Sequence, residues 1–358
     1  MATLPLGDYP QQDSAPETPA PEPPAPETPA PETALSDGGG DQWRERDFHA
    51  RLWLSLCVPP GDPLVGGLVA TLGAVRVQQL VRSPARRGLS GRLARQVRAL
   101  QQRTLVLPTE ATLQRVHDAL ARSSLQVLTP TDRQWPPGLG DLGARAPLLL
   151  CVRGVASALH RVGRQVAIVG TRTPSLVALS AAREIAWHQI TAGRTIVSGG
   201  AKGIDAVGHL VSLESGVATV AVLAQSPDRP YPVEHRGLFD DIAQCGAVVS
   251  EVLPGVSHGA SGFLARNRLI AALASLTIVV EAPIRSGAIS TAAHAAHLDR
   301  AVMAVVYEQH EADSGSSRLG VQNRGRRVFP VDNRGAERVL EQWAGEAIHW
   351  PALIREKD

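Results

Sequence analysis

Gly170-Thr171-Arg172 and, about 30 residues later, Ser198-Gly199-Gly200-Ala201-Lys202-Gly203-Ile204-Asp205 decide how this chain is read. Each follows a short apolar run, Val166 to Val169 in the first case and Thr195 to Ser198 in the second, and each precedes a stretch with helical spacing. A strand that ends in a glycine turn and opens a helix is the front half of a βαβ unit. Two such units side by side bring backbone N–H groups, helix N-termini and the side chains of Arg172 and Lys202 to one sheet edge, which suits phosphates.

The alternation continues to Val306. Helical spacing covers Leu176 to Ile190 and Ile204 to Glu214, and apolar runs follow at Ala218 to Ala224, Ala247 to Val252, Leu276 to Val280 and Ala301 to Val306. Short apolar runs separated by helices predict an α/β fold whose parallel sheet is covered on both faces and binds ligands outside the carboxyl ends of its strands. This unit is assigned to residues 124–330. Leu125 to Leu128 and Pro147 to Val152 read as two strands leading into it, with a proline-marked turn at Trp135-Pro136-Pro137-Gly138.

Residues 43–123 are rich in Ala, Leu, Arg and Gln, and Leu113, Val116 and Leu120 recur at helical spacing after Thr109, a predicted N-cap. A small helical domain is expected there. Residues 14 to 34 repeat an Ala-Pro-Glu-Thr-Pro theme that cannot seed a core, so residues 1–42 are expected to form a disordered, acidic Pro/Glu-rich tail. Residues 331–358 are read as a short C-terminal helical extension carrying one amphipathic stretch, Glu337 to Ala347.

Residues 1 to 43 hold eight acids and no Lys or Arg, which leaves 36 basic against 26 acidic residues, a net +10, for residues 44 to 358. A basic body points to a polyanionic partner. No apolar run approaches the roughly 18 residues of a membrane helix, and the N-terminus lacks the basic and apolar regions of a signal peptide, so a cytoplasmic protein without membrane contact is expected. Cys57, Cys151 and Cys245 lie far apart and are read as buried thiols in a reducing compartment. His294 and His297 have no H-E-x-x-H pattern or cysteine partner, and no Gly-x-Ser-x-Gly nucleophile elbow stands in a fitting context. No metal, cofactor or catalytic residue is expected.

Within the second glycine loop, Gly199, Gly200 and Gly203 let the backbone approach a ligand. Lys202 is notable because the chain has only two lysines, Lys202 and Lys357. Its compact charge differs from the guanidinium fork used everywhere else. Asp205 is assigned to the helix start. A third basic cluster, Phe263 with Arg266, Asn267 and Arg268, opens another helix; on a single-strand reader Phe263 would stack on a base while both arginines meet phosphates. Glu281 ends the run Thr277 to Val280 and is expected to orient an arginine or accept backbone donors, and Ser286-Gly287 form a turn into the next helix.

With these residues in place, the chain resembles the bacterial DNA-processing protein A family, also called DprA or Smf. The similarity runs from about Leu125 to Val306 and includes Trp135-Pro136-Pro137, Val152-Arg153-Gly154, Val166 to Arg172, Ser198 to Asp205, Tyr231-Pro232, Ser250-Glu251, Arg266-Asn267-Arg268 and Glu281-Ala-Pro with Ser286-Gly287. The helical segment resembles the family's sterile-alpha-motif-like domain, especially Leu52 to Leu56. The resemblance implies an extended Rossmann-like domain that binds single-stranded DNA in a basic pocket, forms a homodimer, protects incoming DNA and helps load the RecA recombinase in natural transformation, without catalytic turnover. It places the DNA-binding pocket on Arg172, Ser198, Gly199, Lys202, Gly203, Arg266, Asn267 and Arg268; Gly170, Asp205, Glu281, Ser286 and Gly287 are read from the sequence as supporting residues. Departures are His235 in place of an asparagine after Tyr-Pro-x-Glu, Gly200 where a bulkier residue is common, and a blurred segment from Ser314 to Asn323. The alternatives are a nucleotide-cleaving enzyme of the related lysine-decarboxylase-like group, whose Pro-Gly-Gly-x-Gly-Thr signature Leu253 to Ala260 does not supply, and a small-nucleotide sensor using the same sheet edge.

Overall fold

The computed structural model describes residues 37–82, 91–103, 107–161, 163–306 and 329–330. The expected tail up to residue 36, the segment from Ser314 to Asn323 and the extension 331–358 lie outside these residues. Helices α1 (Asp37–Cys57), α2 (Pro63–Leu72), α3 (Ala74–Arg82), α4 (Gly91–Gln102) and α5 (Glu110–Arg122) come first. α1 starts inside the stretch assigned to the disordered tail, at Asp37 rather than after residue 42. Asp62 caps α2 by accepting the Leu64 and Val65 N–H groups (both 3.0 Å), and Thr109 caps α5 by accepting that of Thr112 (3.2 Å). Trp53, Leu54, Val65, Leu68, Val77, Leu80, Val97 and Leu100 form the core of this helical unit.

The second unit is built on β1 (Gln126–Leu128), β2 (Leu150–Gly154), β3 (Gln165–Val169), α6 (Leu176–Thr191), β4 (Thr195–Ser198), α7 (Ile204–Glu214), β5 (Thr219–Val222), α8 (Arg236–Cys245), β6 (Ala247–Ser250), α9 (Gly259–Leu273), β7 (Leu276–Val279), α10 (Gly287–His297), β8 (Ala301–Val306) and β9 (Phe329–Pro330). The strand order is β1-β2-β6-β5-β4-β3-β7-β8-β9. From β6 to β9 all pairings are parallel, whereas β2 runs antiparallel to both β1 and β6, so the two lead-in strands extend one edge. This is a mostly parallel, Rossmann-like sheet.

Alternating strand residues feed two cores. Ala167, Val169, Val197, Val220 and Val222 pack with Leu269, Ile270 and Ala292 of α9 and α10. Val166, Ile168, Ile196 and Ile278 pack with Ala178, Ala182, Val207 and Val211 of α6 and α7 on the opposite face. Burial on both faces explains why these strands read as continuous apolar runs. β3 lies between β4 and β7, so the chain leaves it toward one side and returns on the other. The loops after β3 and β7 diverge at this switch point and leave a crevice at the carboxyl ends of the strands.

Candidate functional site

The floor of the crevice is Arg266 of α9, buried at 8% exposure. Its Nη1 donates to the Gly199 carbonyl (2.8 Å) and to the Val222 carbonyl, and its Nε donates to Asn267 Oδ1 (3.3 Å). Burial lowers this guanidinium to about 10, with Asp205 pulling it back up, so it stays charged at neutral pH. Asp205 is buried beside it and accepts the N–H groups of Gly199 (3.1 Å) and Ala201 (3.3 Å). Burial pushes its carboxyl up, against Arg266 and those two N–H groups, which pull it down. Gly199 is needed for this packing, because a Cβ there would sit 2.6 Å from Arg266 Nη1. Asn267 Nδ2 donates to the Gly287 carbonyl (3.1 Å) and ties α9 to the start of α10, which Ser286 caps through the Ile289 N–H (3.4 Å).

The rim is more exposed. Gly203 has φ +82 and would bring a Cβ within 2.4 Å of the Thr171 carbonyl, so only glycine lets the second loop press against the turn that holds Arg172. Gly170 is likewise tight against Ile204. Glu281 accepts the Ser175 N–H (2.9 Å) and thereby fixes the entry to α6. Arg172 is exposed, and Lys202 is 54% exposed, its Nζ donating to Glu234 Oε1 at 2.9 Å. That hydrogen bond holds the Glu234 carboxyl below its usual range. Tyr231 and Phe263 meet edge to face, with ring centroids 5.6 Å apart, and Tyr231 is half exposed.

Three openings share Arg172 and Arg266. One of about 320 Å³ lies beside β3 and reaches Thr171, Asn267, Ser286 and Thr291; another of about 650 Å³ runs past Phe263 and Leu264 to Tyr231; a small one of about 70 Å³ reaches Lys202 and Pro232. Together they form one groove with a cationic floor, a cationic rim and an aromatic wall.

Four expectations are corrected. Arg268 does not join Arg266 at the groove: residues two apart on a helix point about 200° away from each other. Its guanidinium forms a buried two-pronged pair with Glu251 (2.5 and 2.6 Å) and donates to the Arg145 carbonyl (2.9 Å), beneath Gly61 of the helical unit. Ser198 is fully buried, its hydroxyl donating to the Ile168 carbonyl (2.6 Å) between neighbouring strands. The N–H groups expected to greet a ligand are partly taken: those of Gly199 and Ala201 by Asp205, and that of Thr171 by the Glu281 carbonyl (2.6 Å). Cys245 is exposed at the end of α8, while Cys57 and Cys151 are buried, burial pushing both thiols up to about 12. Tyr231 and Glu234 both fall in the Tyr-Pro-x-Glu segment without a role of their own in the sequence; an aromatic beside a proline was a usable signal for the first, and nothing in the sequence marks the second as a partner of Lys202.

Among the described residues no group of three or more His, Cys, Asp or Glu is arranged to hold a metal, and no single helix is long and apolar enough to cross a membrane. The family model for DNA recombination-mediator protein A matches residues 126–333, more than half of the chain. The chain belongs to this DprA/Smf family. A DNA processing protein of the DprA type from Mycobacterium tuberculosis is 41% identical over 198 residues, which is 52% of this chain and 51% of that protein. The chain thus spans about half the length of that relative. The crystal structure of DNA processing protein A from Streptococcus pneumoniae superposes with a TM-score of 0.61 over 79% of this chain and 93% of that one, at 24% identity, and shares the fold. DNA processing protein A from Helicobacter pylori, whose structure is described in terms of its single-stranded DNA binding mode, superposes with a TM-score of 0.53 over 62% of this chain and 97% of that one, at 25% identity.

Proposed function

We propose that this chain binds single-stranded DNA in the groove and acts as a DNA-processing protein rather than an enzyme. The observation that carries the reading is the combination in one open groove of the buried Arg266 floor, the exposed Arg172 and Lys202, and the Tyr231–Phe263 wall. Phosphate neutralisation beside aromatic faces is the chemistry of single-strand binding without sequence readout. Arg172 and Lys202 make the phosphate contacts, Phe263 and Tyr231 offer faces for stacking, and Arg266 contributes fixed positive potential from below. Gly199, Gly203 and Ser198 shape the loop, while Asn267, Asp205, Glu281, Ser286 and Gly287 hold its surroundings. Protection of incoming DNA, loading of RecA, a role in natural transformation and a homodimeric state rest on family membership alone, and a cytoplasmic location belongs to the same reading.

A second reading, a small-nucleotide sensor, is favoured by the 320 Å³ cleft beside β3, which is large enough for a nucleotide. One assay separates the two. Fluorescence anisotropy with a labelled single strand, a duplex and competing nucleotides is expected to rank the single strand first. The Arg172→Ala, Lys202→Ala double variant is expected to lower the log-log salt slope by about 1.4, at about 0.7 per lost phosphate contact. Glu234→Gln is expected to tighten binding by releasing the Lys202 ammonium. Full DNA affinity in the double variant, or competition by a mononucleotide at concentrations far below those that fill an exposed groove, would overturn the DNA reading.

A further inference from the structure

Between Pro63 and Thr109 the chain has eight arginines and no Asp, Glu or Lys, although it holds 34 acids in all. Arg76 and Arg82 of α3 and Arg92, Arg95 and Arg98 of α4 are all exposed. The two helices turn Val77, Leu80, Val97 and Leu100 inward and lie together, Gln101 Nε2 donating to the Leu80 carbonyl (2.9 Å). The arginines are thereby displayed on the outer faces. Among the described residues none of these five has a carboxylate partner; Arg76 meets only the Gln79 amide (3.4 Å), while Arg103, at the end of α4, is the one paired with an acid, Asp62.

We propose that the outer face of α3 and α4 is a second nucleic-acid surface, which holds a further stretch of the phosphate backbone beyond the groove. The inference rests on the reading of the groove as a DNA site. Arg92, Arg95 and Arg98 follow one another at three-residue intervals, so their Cβ atoms are about 5–6 Å apart. A nucleic-acid strand offers a charge every few ångströms, about 3.4 Å along the axis of a duplex strand, and can meet such a row with consecutive phosphates. The rival anion is the chain's own acidic arm. Its acids Asp13, Glu17, Glu22, Glu27 and Glu32 come only once in four or five residues, whereas a nucleic-acid strand carries a charge at every nucleotide. The surface is also fastened to the groove's own framework. Arg103 is bound to Asp62, the preceding residue, Gly61, lies over the Arg268 guanidinium, and Arg268 stands two residues after Arg266 on α9.

The test uses the full chain with Arg92→Gln, Arg95→Gln and Arg98→Gln combined, since glutamine keeps helix propensity and the side chains are exposed. A single strand of about 8 nucleotides, which one groove holds, is expected to bind the variant as it binds the unaltered protein. A strand of about 60 nucleotides is expected to bind about tenfold more weakly, with a salt slope lower by about 2 for three lost contacts. Unchanged or tighter binding of the long strand overturns the inference. If deletion of residues 1–36 then abolishes any gain, the acidic arm occupies this face instead. The short strand with the Arg172→Ala, Lys202→Ala variant tests the groove on its own, so failure of one reading is told apart from failure of the other.

Discussion

Arg268→Ala distinguishes a DNA contact from a structural one. The guanidinium is 2% exposed and makes two hydrogen bonds to Glu251 and one each to the Arg145 and Ala265 carbonyls. Truncation leaves the Glu251 carboxylate buried, its side chain 7% exposed, without its cation, and breaking a buried pair in this way costs about 3–5 kcal/mol. For a unit of this size that corresponds to a fall in the thermal midpoint of about 6–20 °C. Pairing Arg268→Met with Glu251→Leu removes the orphaned charge and leaves two carbonyls short of a donor, so most of the loss is expected to return, short by about 1–3 kcal/mol. Calorimetry reads both midpoints, and DNA anisotropy well below the lower one is expected to change less than twofold. A variant that melts normally but has lost DNA affinity would refute the assignment and return Arg268 to the groove.

Gly203→Ala is expected to cost about 2 kcal/mol or more, because an alanine at φ +82 is strained and its Cβ meets the Thr171 carbonyl; an unchanged urea midpoint would contradict the loop geometry. Stability is also expected to depend on His209, which is fully buried, with Nδ1 facing the Thr219 hydroxyl (2.8 Å) and Nε2 unpartnered. Burial lowers it to about 3 from an ordinary 6.5. The unfolded chain therefore binds a proton that the folded one refuses between those values, and stability falls as pH drops from about 6.5 toward 3, by on the order of 4 kcal/mol. His209→Gln should flatten this part of the pH–stability curve; an unaltered curve would assign the acid sensitivity to other groups.

The sheet was legible because its strands are buried on both faces and announce themselves as apolar runs, and α7 falls on the predicted Ile204 to Glu214. The antiparallel direction of β2 was not, since direction depends on where the chain returns and not on what the strand contains. At the site, the convergence of Arg172, Lys202 and Arg266 followed from the switch-point topology. The division of labour between Arg266 and Arg268 was available from the helical period, but a basic cluster read as a unit hides it. The Lys202–Glu234 pair joins residues 32 apart through a loop whose path no local pattern specifies.

The near absence of lysine gives the groove a chemical address. Reagents that acylate amines have two lysines to attack, Lys202 and Lys357, and among the described residues Lys202 is the only one, standing at the groove rim. Acylation there removes the sole ammonium from a surface otherwise made of guanidinium groups and frees Glu234. A bound strand would shield the same nitrogen. The rate of modification at Lys202, followed by mass spectrometry, thus becomes a label-free gauge of groove occupancy that the 34 arginines leave undisturbed.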